Sequence, residues 1–197
     1  MVRLACTGTL ALLGAAAPAL ATLTLAACSR VSLRGVEVLA ASCPALTTLE
    51  VVLCRHTSDG TAAHLAAGIA AALPRLAALH LALGPSVTDA ALESIALTGT
   101  RLRTLSLAAC GGVTDAGIAR LAARCPRLVG LDLSLCARLR PDCLRDLLLL
   151  PRLASIEITH CRRLSTPVVD AMLAGSRRML LLRGRYVRRI VFCREAA

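Results

Sequence analysis

Ten cysteines and four histidines are the side chains of this sequence with the widest chemical scope. A cysteine can form a disulfide, ligate zinc, or attack a substrate when a base lies beside it. The sequence has no C-x-x-C pair and no cysteine–histidine spacing of a zinc site. His160 precedes Cys161, but Cys161 belongs to a repeated structural position and not to a nucleophile–base pair. We therefore predict no catalytic residue, no metal site and no cofactor, and we do not predict an enzyme.

The cysteines instead follow a repeat. The pattern L-x-x-L-x-L-x-x-C, in which valine or isoleucine replaces some leucines, occurs six times. Its first leucines are Leu20, Leu46, Leu76, Leu102, Leu128 and Leu153. The steps are 26, 30, 26, 26 and 25 residues, and the long step adds about one helical turn. The last position, the cysteine slot, holds Cys28, Cys54, Gly84, Cys110, Cys136 and Cys161.

Each cysteine slot is followed by the signature of a helix. An apolar group at i, i+3 and i+4 begins eight residues later, as in Leu92, Ile95 and Ala96. Hydroxyl side chains predicted to cap these helices lie four residues after the slot: Ser32, Ser58, Thr88, Thr114 and Ser165. In the fifth repeat, Pro141 suits the first helical position. A proline two residues before the next first leucine ends most helices, at Pro18, Pro44, Pro74, Pro126 and Pro151.

This unit of strand, turn, capped helix and proline resembles the leucine-rich repeat, and in particular its cysteine-containing subclass. The resemblance covers roughly residues 9 to 175, and Val113-Thr114-Asp115-Ala116-Gly117-Ile118 is similar to the I/V-T-D-x-G-L motif of that subclass. It implies an α/β solenoid of about six to seven repeats, with a curved parallel sheet on the concave side and helices on the convex side. It also implies that the slot cysteine satisfies backbone groups inside the turn that leaves the strand. We therefore expect buried, reduced thiols and a reducing compartment.

Charge divides the chain into two regions. Residues 1–176 form the predicted repeat domain, which starts in mid-repeat, and residues 177–197 form an arginine-rich C-terminal strand and cap, or a tail. Of the net charge of +11, +6 falls on residues 177–197, which contain seven arginines and one acidic residue, Glu195. These arginines, from Arg177 to Arg194, are either solvated or form a patch for nucleic acid or an acidic membrane surface. The chain contains no lysine, so ubiquitin cannot be attached to a lysine side chain of this protein.

The strands of such a solenoid also present an outward face. Strand side chains alternate, so the residues between the buried leucines lie on the concave side. They are Thr24, Glu50, His80, Ser106, Asp132 and Glu157. Stacked about 4.8 Å apart, they form a continuous stripe of small side chains and acidic side chains. We predict that this stripe binds an extended basic or polar segment of a protein partner, since concave faces of solenoids are commonly binding surfaces. A solvated face without a partner is the alternative.

The first 28 residues can also be interpreted as a secretory signal that ends in a lipoprotein cleavage box at Cys28. However, residues 23–28 are nearly identical to residues 105–110, which belong to a repeat, and Gly14 and Pro18 interrupt the apolar run. We therefore favour a repeat over an export signal. The chain opens in mid-repeat without a polar cap, as a fragment or a truncated gene would.

The resemblance gives the first hypothesis about function. Proteins with these repeats are often F-box proteins, the substrate receptors of cullin-type ubiquitin ligases. The chain is thus expected to be a cytoplasmic or nuclear protein-interaction module, similar to the substrate-binding part of such a receptor. The sequence contains no F-box, so a ligase adaptor is expected as a partner only if the full gene is longer. A structural scaffold of the cytoskeleton or axoneme is the alternative, and binding of nucleic acid or membrane by the C-terminal arginines is the third hypothesis.

Overall fold

The computed structural model of the protein describes residues 7–26, 32–52, 68–69, 71–82, 87–164, 167, 169, 179–183 and 188–192. The helices with defined bounds are α1 (Thr7–Ala16), α2 (Leu33–Ser42), α3 (Asp89–Thr98), α4 (Asp115–Arg124) and α5 (Asp142–Leu148). The strands are β1 (Thr22–Ala26), β2 (Thr48–Val52), β3 (Ala78–Ala82), β4 (Thr104–Ser106), β5 (Gly130–Asp132), β6 (Ser155–Glu157), β7 (Met179–Arg183) and β8 (Arg188–Phe192). They form one sheet in the order β1-β2-β3-β4-β5-β6-β8-β7.

The first six strands are parallel, and they pair in the register that the repeat predicts. Equivalent core positions lie side by side: Leu23, Leu49, Leu79, Leu105, Leu131 and Ile156. The four extra residues of the long step lie between β2 and β3 and leave this register intact. Parallel neighbours require a crossover connection, and the helices supply it. The predicted α/β solenoid of leucine-rich-repeat type is therefore confirmed.

The core is a single layer between the sheet and the helices. Alternate strand residues such as Leu79 and Leu81 are fully buried, and α3 contributes its predicted group of Leu92, Ile95 and Ala96. Burial of one leucine side chain contributes about 1.5–3 kcal/mol. Each repeat buries these side chains against its neighbours, so stacked aliphatic residues make up most of the described core of the solenoid.

The helix starts agree with the prediction in position but only partly in mechanism. Ser32 caps α2 as predicted, because its Oγ accepts from the backbone N–H of Gly35 at 3.2 Å. Thr88 and Thr114 occupy the cap positions of α3 and α4, yet neither hydroxyl accepts from a helix amide. The prediction that they cap through their hydroxyls is therefore wrong. Pro141 precedes α5 by one residue and already has helical backbone angles.

The strands β4, β5 and β6 each lead into a sharp corner before the slot cysteine. The residue before the cysteine has a positive φ, with values of 62° at Ala109, 62° at Leu135 and 58° at His160. The left-handed region costs a non-glycine residue about 1–2 kcal/mol, so the same strain recurs in three successive repeats. The corner turns the chain and places the next side chain in the core, where Cys110, Cys136 and Cys161 are fully buried.

The slot thiols connect neighbouring repeats. The Sγ of Cys136 donates to the carbonyl oxygen of Leu107 at 3.2 Å, and the Sγ of Cys161 donates to that of Leu133 at 3.0 Å. The same contact recurs one repeat earlier, at Cys110. The predicted burial is confirmed for these three cysteines. The acceptors are backbone carbonyls at the end of the preceding repeat's strand or just after it, so each thiol satisfies a backbone group of the neighbouring coil.

The C-terminal region adds two antiparallel strands to the sheet. β8 pairs with β6, where Glu157 and Arg189 are register partners, and β7 pairs with β8. Ile190 is fully buried against the repeat core. Strands thus occur within residues 177–197, while the boundary of the predicted domain at residue 176 stays a prediction.

Residues 7–26 belong to the solenoid as a helix and a strand. Leu10 of α1 and Leu25 of β1 are buried in the common core, and β1 pairs along its length with β2. Among the described residues, no helix has the length and apolar character needed to cross a membrane. Predicted positions outside the described residues are the slot residues Cys28, Cys54 and Gly84, the cap residues Ser58 and Ser165, and the C-terminal arginines Arg177, Arg178, Arg185 and Arg194.

Candidate protein-binding face

The six predicted face residues lie side by side on the sheet. In register they are Thr24, Glu50, His80, Ser106, Asp132 and Glu157, one from each parallel strand, and we call this row the outer ribbon. Core side chains flank each ribbon residue along its strand. Since strand side chains alternate, the ribbon lies on the face of the sheet turned away from the helices.

The ribbon residues differ in the surface they offer. Thr24 is exposed, whereas Glu50, His80, Asp132 and Glu157 are half-buried. Half-buried carboxylates are less screened by solvent than fully exposed ones, so a partner that reaches them gains more from each contact. The Oγ1 of Thr24 donates to Glu50 Oε2 at 3.0 Å, which holds that carboxylate against the neighbouring strand.

Ser106 requires a correction to the predicted face. It lies in the ribbon but is only 9% exposed, and its hydroxyl donates to Asp132 Oδ2 at 2.9 Å. The backbone N–H of Ser134 donates to Asp132 Oδ1 at 2.9 Å. Both carboxylate oxygens of Asp132 therefore have a fixed orientation. Ser106 offers little surface to a partner and acts as a residue that positions Asp132.

A second row of small side chains lies two residues further along each strand. Its first members, Ala26, Val52 and Ala82, are in register on the first three strands. The corresponding residues of the later repeats are Ala108, Ser134 and Thr159. None of these six side chains is large, so they leave the ribbon carboxylates accessible to an approaching chain.

The spacing of the carboxylates suits an extended ligand better than a single reacting atom. Asp132 and Glu157 are register partners, about 4.8 Å apart along the sheet, and Glu50 lies three strands from Asp132, about 14 Å away. Such carboxylates can accept charge-assisted hydrogen bonds from arginine or lysine side chains. In the part of the chain that the structure describes, no three His, Cys, Asp or Glu side chains meet as metal ligands would.

Burial sets the chemistry of several thiols. It raises the pKa of Cys125 from its ordinary value of 9.0 to about 11. Burial also raises the pKa of Cys136 and Cys143, with smaller contributions from nearby thiols and carboxylates. The thiolate is the reactive form of cysteine, so these three side chains stay protonated and poorly nucleophilic at neutral pH.

The aspartates at the starts of α3 and α4 each bond to the following repeat, a contact that the sequence pattern did not predict. Asp89 Oδ1 accepts from the backbone N–H of Thr114 at 2.8 Å, and Asp89 Oδ2 accepts from its hydroxyl. Asp115 repeats the contact one coil later, accepting from the N–H of Arg140 at 2.8 Å. A Cβ on Gly117 would overlap the Asp89 carboxylate, so the glycine of the T-D-x-G motif makes room for it.

A basic cleft was also missed. It lies beside the start of α4, has a volume of about 400 Å³, and is lined by Thr114, Asp115, Ala116, Arg138, Arg140 and Arg163. Arg138 and Arg163 each lie two residues after a slot cysteine. Since equivalent positions of successive repeats stack, this common offset was the signal in the sequence that could have revealed the cluster.

Comparison with known proteins supports the fold and leaves the family open. No model of a known protein family matches the chain, and neither does the sequence of any curated protein. Among solved structures, the chain is similar to one chain of the crystal structure of the Rad7 and Elc1 complex in yeast, with a TM-score of 0.60 and 19% sequence identity. The match covers 83% of this chain but only 42% of that one. At this identity the likeness shows the fold alone.

Proposed function

We propose that the protein is a protein-binding module whose outer ribbon holds an extended, positively charged segment of a partner. One observation carries the proposal: six parallel strands place Glu50, Asp132 and Glu157 in a single row on the helix-free face. Because the strands stack at a regular spacing, a partner that crosses them can reach successive carboxylates. Complementary charge of this kind mainly gives specificity and fast association.

The solved neighbour supports a binding role in general terms. Its crystal structure contains Rad7 together with a second protein, Elc1. In our proposal the present chain also binds another protein, and it does not catalyse a reaction.

The more specific form of the proposal is a substrate-binding part of an SCF-type ubiquitin-ligase receptor, acting in the cytoplasm or nucleus. Its support is the resemblance of the repeats to the cysteine-containing subclass found in F-box proteins. In this form, the ribbon holds a protein destined for ubiquitin-dependent degradation. Contact with the ligase adaptor then belongs to a different segment of a longer protein.

The ribbon is tested with two pairs of glutamates. In the first variant, Glu50→Gln and Glu157→Gln neutralise the ribbon. In the matched control, Glu37→Gln and Glu93→Gln neutralise two exposed glutamates on α2 and α3. Each protein is used as bait on an array of lysine- and arginine-rich peptides and on extract from the source cells. We expect the ribbon variant to lose about tenfold or more in binding, and the control to retain it.

The outcomes separate the hypotheses. Equal binding by the ribbon variant and wild type would remove the ribbon as the binding face. Recovery of a ubiquitin-ligase adaptor with a longer form of the protein supports the receptor form. Co-sedimentation with microtubules that persists in the ribbon variant supports a cytoskeletal scaffold instead.

A further inference from the structure

The basic cleft beside the start of α4 has the composition of an anion site. Three arginines line it: Arg138 and Arg140 from the loop between β5 and α5, and Arg163 from the loop after β6. All three are exposed. In the described part of the chain, ion pairs form between Arg120 and Glu93 and between Arg145 and Asp142, and none involves these three guanidinium groups.

The fold explains why the three arginines converge. Arg138 and Arg163 follow slot cysteines whose thiols bond to the preceding coil, so the two loops stack on each other. The backbone N–H of Arg140 donates to Asp115 Oδ1 at 2.8 Å, which draws this loop against the start of α4. The cluster is thus built by the same inter-repeat contacts that hold the solenoid together.

The charge of the cleft matches a phosphate monoester. Three guanidinium groups and the Asp115 carboxylate give a net charge of +2. A phosphorylated serine, threonine or tyrosine carries about −1.5 to −2 at pH 7. The planar arginine fork binds phosphate oxygens in pairs, and a cleft of about 400 Å³ has room for one such side chain.

A nucleic-acid backbone fits this cleft less well. A polyanion needs a track of positive charge that continues over several phosphates. The position equivalent to Arg138 and Arg163 in the preceding repeat is Gly112, so the row of arginines does not continue towards β4.

We propose that this cleft binds a phosphorylated side chain of a protein partner, with Arg138, Arg140 and Arg163 as the phosphate ligands. The inference rests on the proposed function in one respect, that the partner is a protein. It adds a second contact, at the loops that follow β5 and β6, to the contact with the outer ribbon.

The probe is an immobilised pool of peptides with a central phosphothreonine or phosphoserine, compared with the same pool unphosphorylated. The test variant is Arg138→Ala with Arg140→Ala and Arg163→Ala. The matched control is Arg75→Ala with Arg127→Ala and Arg152→Ala, three exposed arginines that precede the first leucine of their repeats. Thermal unfolding of every variant checks that it is folded.

Wild type and the control are expected to bind the phosphorylated pool about tenfold or more tightly than the unphosphorylated pool, and the test variant is expected to lose this preference. No preference in wild type, or equal loss in both variants, would overturn the proposal. Tighter binding of a single-stranded DNA oligonucleotide that depends on the same three arginines would assign the cleft to nucleic acid. If only the ribbon proposal fails, the glutamate variant of the ribbon still binds the phosphorylated pool as wild type does.

Discussion

At the scale of single residues, the solenoid depends on contacts between equivalent positions of neighbouring repeats. Asp89 bonds to Thr114, and the slot thiols bond to the ends of preceding strands. Each contact crosses from one coil to the next, so it stabilises the stacking of repeats and not the local turn. Substitutions at these positions are therefore expected to act on the cooperative unfolding of the solenoid.

Gly117→Ala is expected to destabilise the protein by about 1–3 kcal/mol, because the new methyl group overlaps the Asp89 carboxylate. At an ordinary interior helix position the same change would stabilise by up to about 1 kcal/mol. In an Asp89→Ala background the carboxylate is gone and the Cβ of residue 89 remains, at 3.2 Å from the new methyl group, so alanine at position 117 should cost clearly less than it does beside Asp89. Urea denaturation of the four proteins measures the coupling, and strictly additive effects would contradict the proposed contact.

Cys136→Ala should cost more stability than Cys125→Ala. Both changes remove one fully buried sulfur, but only the thiol of Cys136 donates to a carbonyl of the preceding repeat, at 3.2 Å. In the Cys136→Ala variant, the Leu107 carbonyl oxygen still accepts from the backbone N–H of Cys110 at 3.0 Å, so it is not left without a donor. The expected difference is therefore about 0.5–1.5 kcal/mol, measured by chemical denaturation under reducing conditions. Equal losses would show that the thiol contributes by packing alone.

At the scale of elements, the sequence predicted the strands, helices and corners well, because each repeat carries its own copy of the same signals. Six copies of one pattern fix the register, and α3 buries the i, i+3, i+4 group that its sequence predicts. Contacts between copies were harder to predict. The hydroxyl of Thr114 could serve its own helix or the neighbouring Asp89, and local capping rules consider only the first choice.

The two C-terminal strands, β7 and β8, which we call the C-terminal hairpin, are expected to protect the edge of the sheet at β6. β6 pairs with β5 on one side and with β8 on the other, so deletion of residues 177–197 leaves a row of backbone donors and acceptors open. An open edge pairs with other chains, and we expect the shortened protein to self-associate and to unfold at a lower temperature. Light scattering and thermal unfolding measure the two effects.

Ile190→Ala in the full chain is the control for the deletion. It removes a fully buried side chain and should lower stability by about 2–5 kcal/mol, while β8 still covers the edge. A shortened chain that stays monomeric and unfolds like wild type would show that the hairpin does not have this role.

At the scale of the whole molecule, buried thiols make stability depend on alkaline pH. The chain has no lysine, so between pH 8.5 and 11 the cysteines of the unfolded chain titrate with little interference beyond Tyr186. Below about pH 8 the thiols are almost fully protonated in the folded and unfolded states, and they add no pH dependence. Above it the unfolded chain loses protons first, because burial holds the folded pKa of Cys125 at about 11.

The free energy of unfolding should therefore fall as pH rises from 9 towards 11, by up to about 1.4 kcal/mol per pH unit for each thiol with a raised pKa. Denaturation midpoints measured under anaerobic, reducing conditions test the slope. Cys125→Ala should make the slope shallower by one thiol. A stability that stays constant over this range would mean that the thiols already titrate in the folded protein.

The candidate binding face was predictable in position, but the properties of its residues were not. Alternation along each strand is enough to place Asp132 and Glu157 on the helix-free face. The bond from Ser106 to Asp132 depends on side-chain geometry across two strands, which a one-dimensional pattern does not contain. The cleft arginines were hidden for a related reason, since they converge only after the loops of successive coils stack.

Site-specific photo-crosslinking tests the central claim most directly. A photo-reactive amino acid is placed at His80 or Glu157 in the ribbon, or at Arg145 on the outer side of α5, and each protein is irradiated in extract from the source cells. We predict that the two ribbon positions capture the same protein, that a lysine-rich peptide competes with it, and that Arg145 does not capture it. Capture of that protein from Arg145 alone, or of unrelated proteins from the two ribbon positions, would contradict the account.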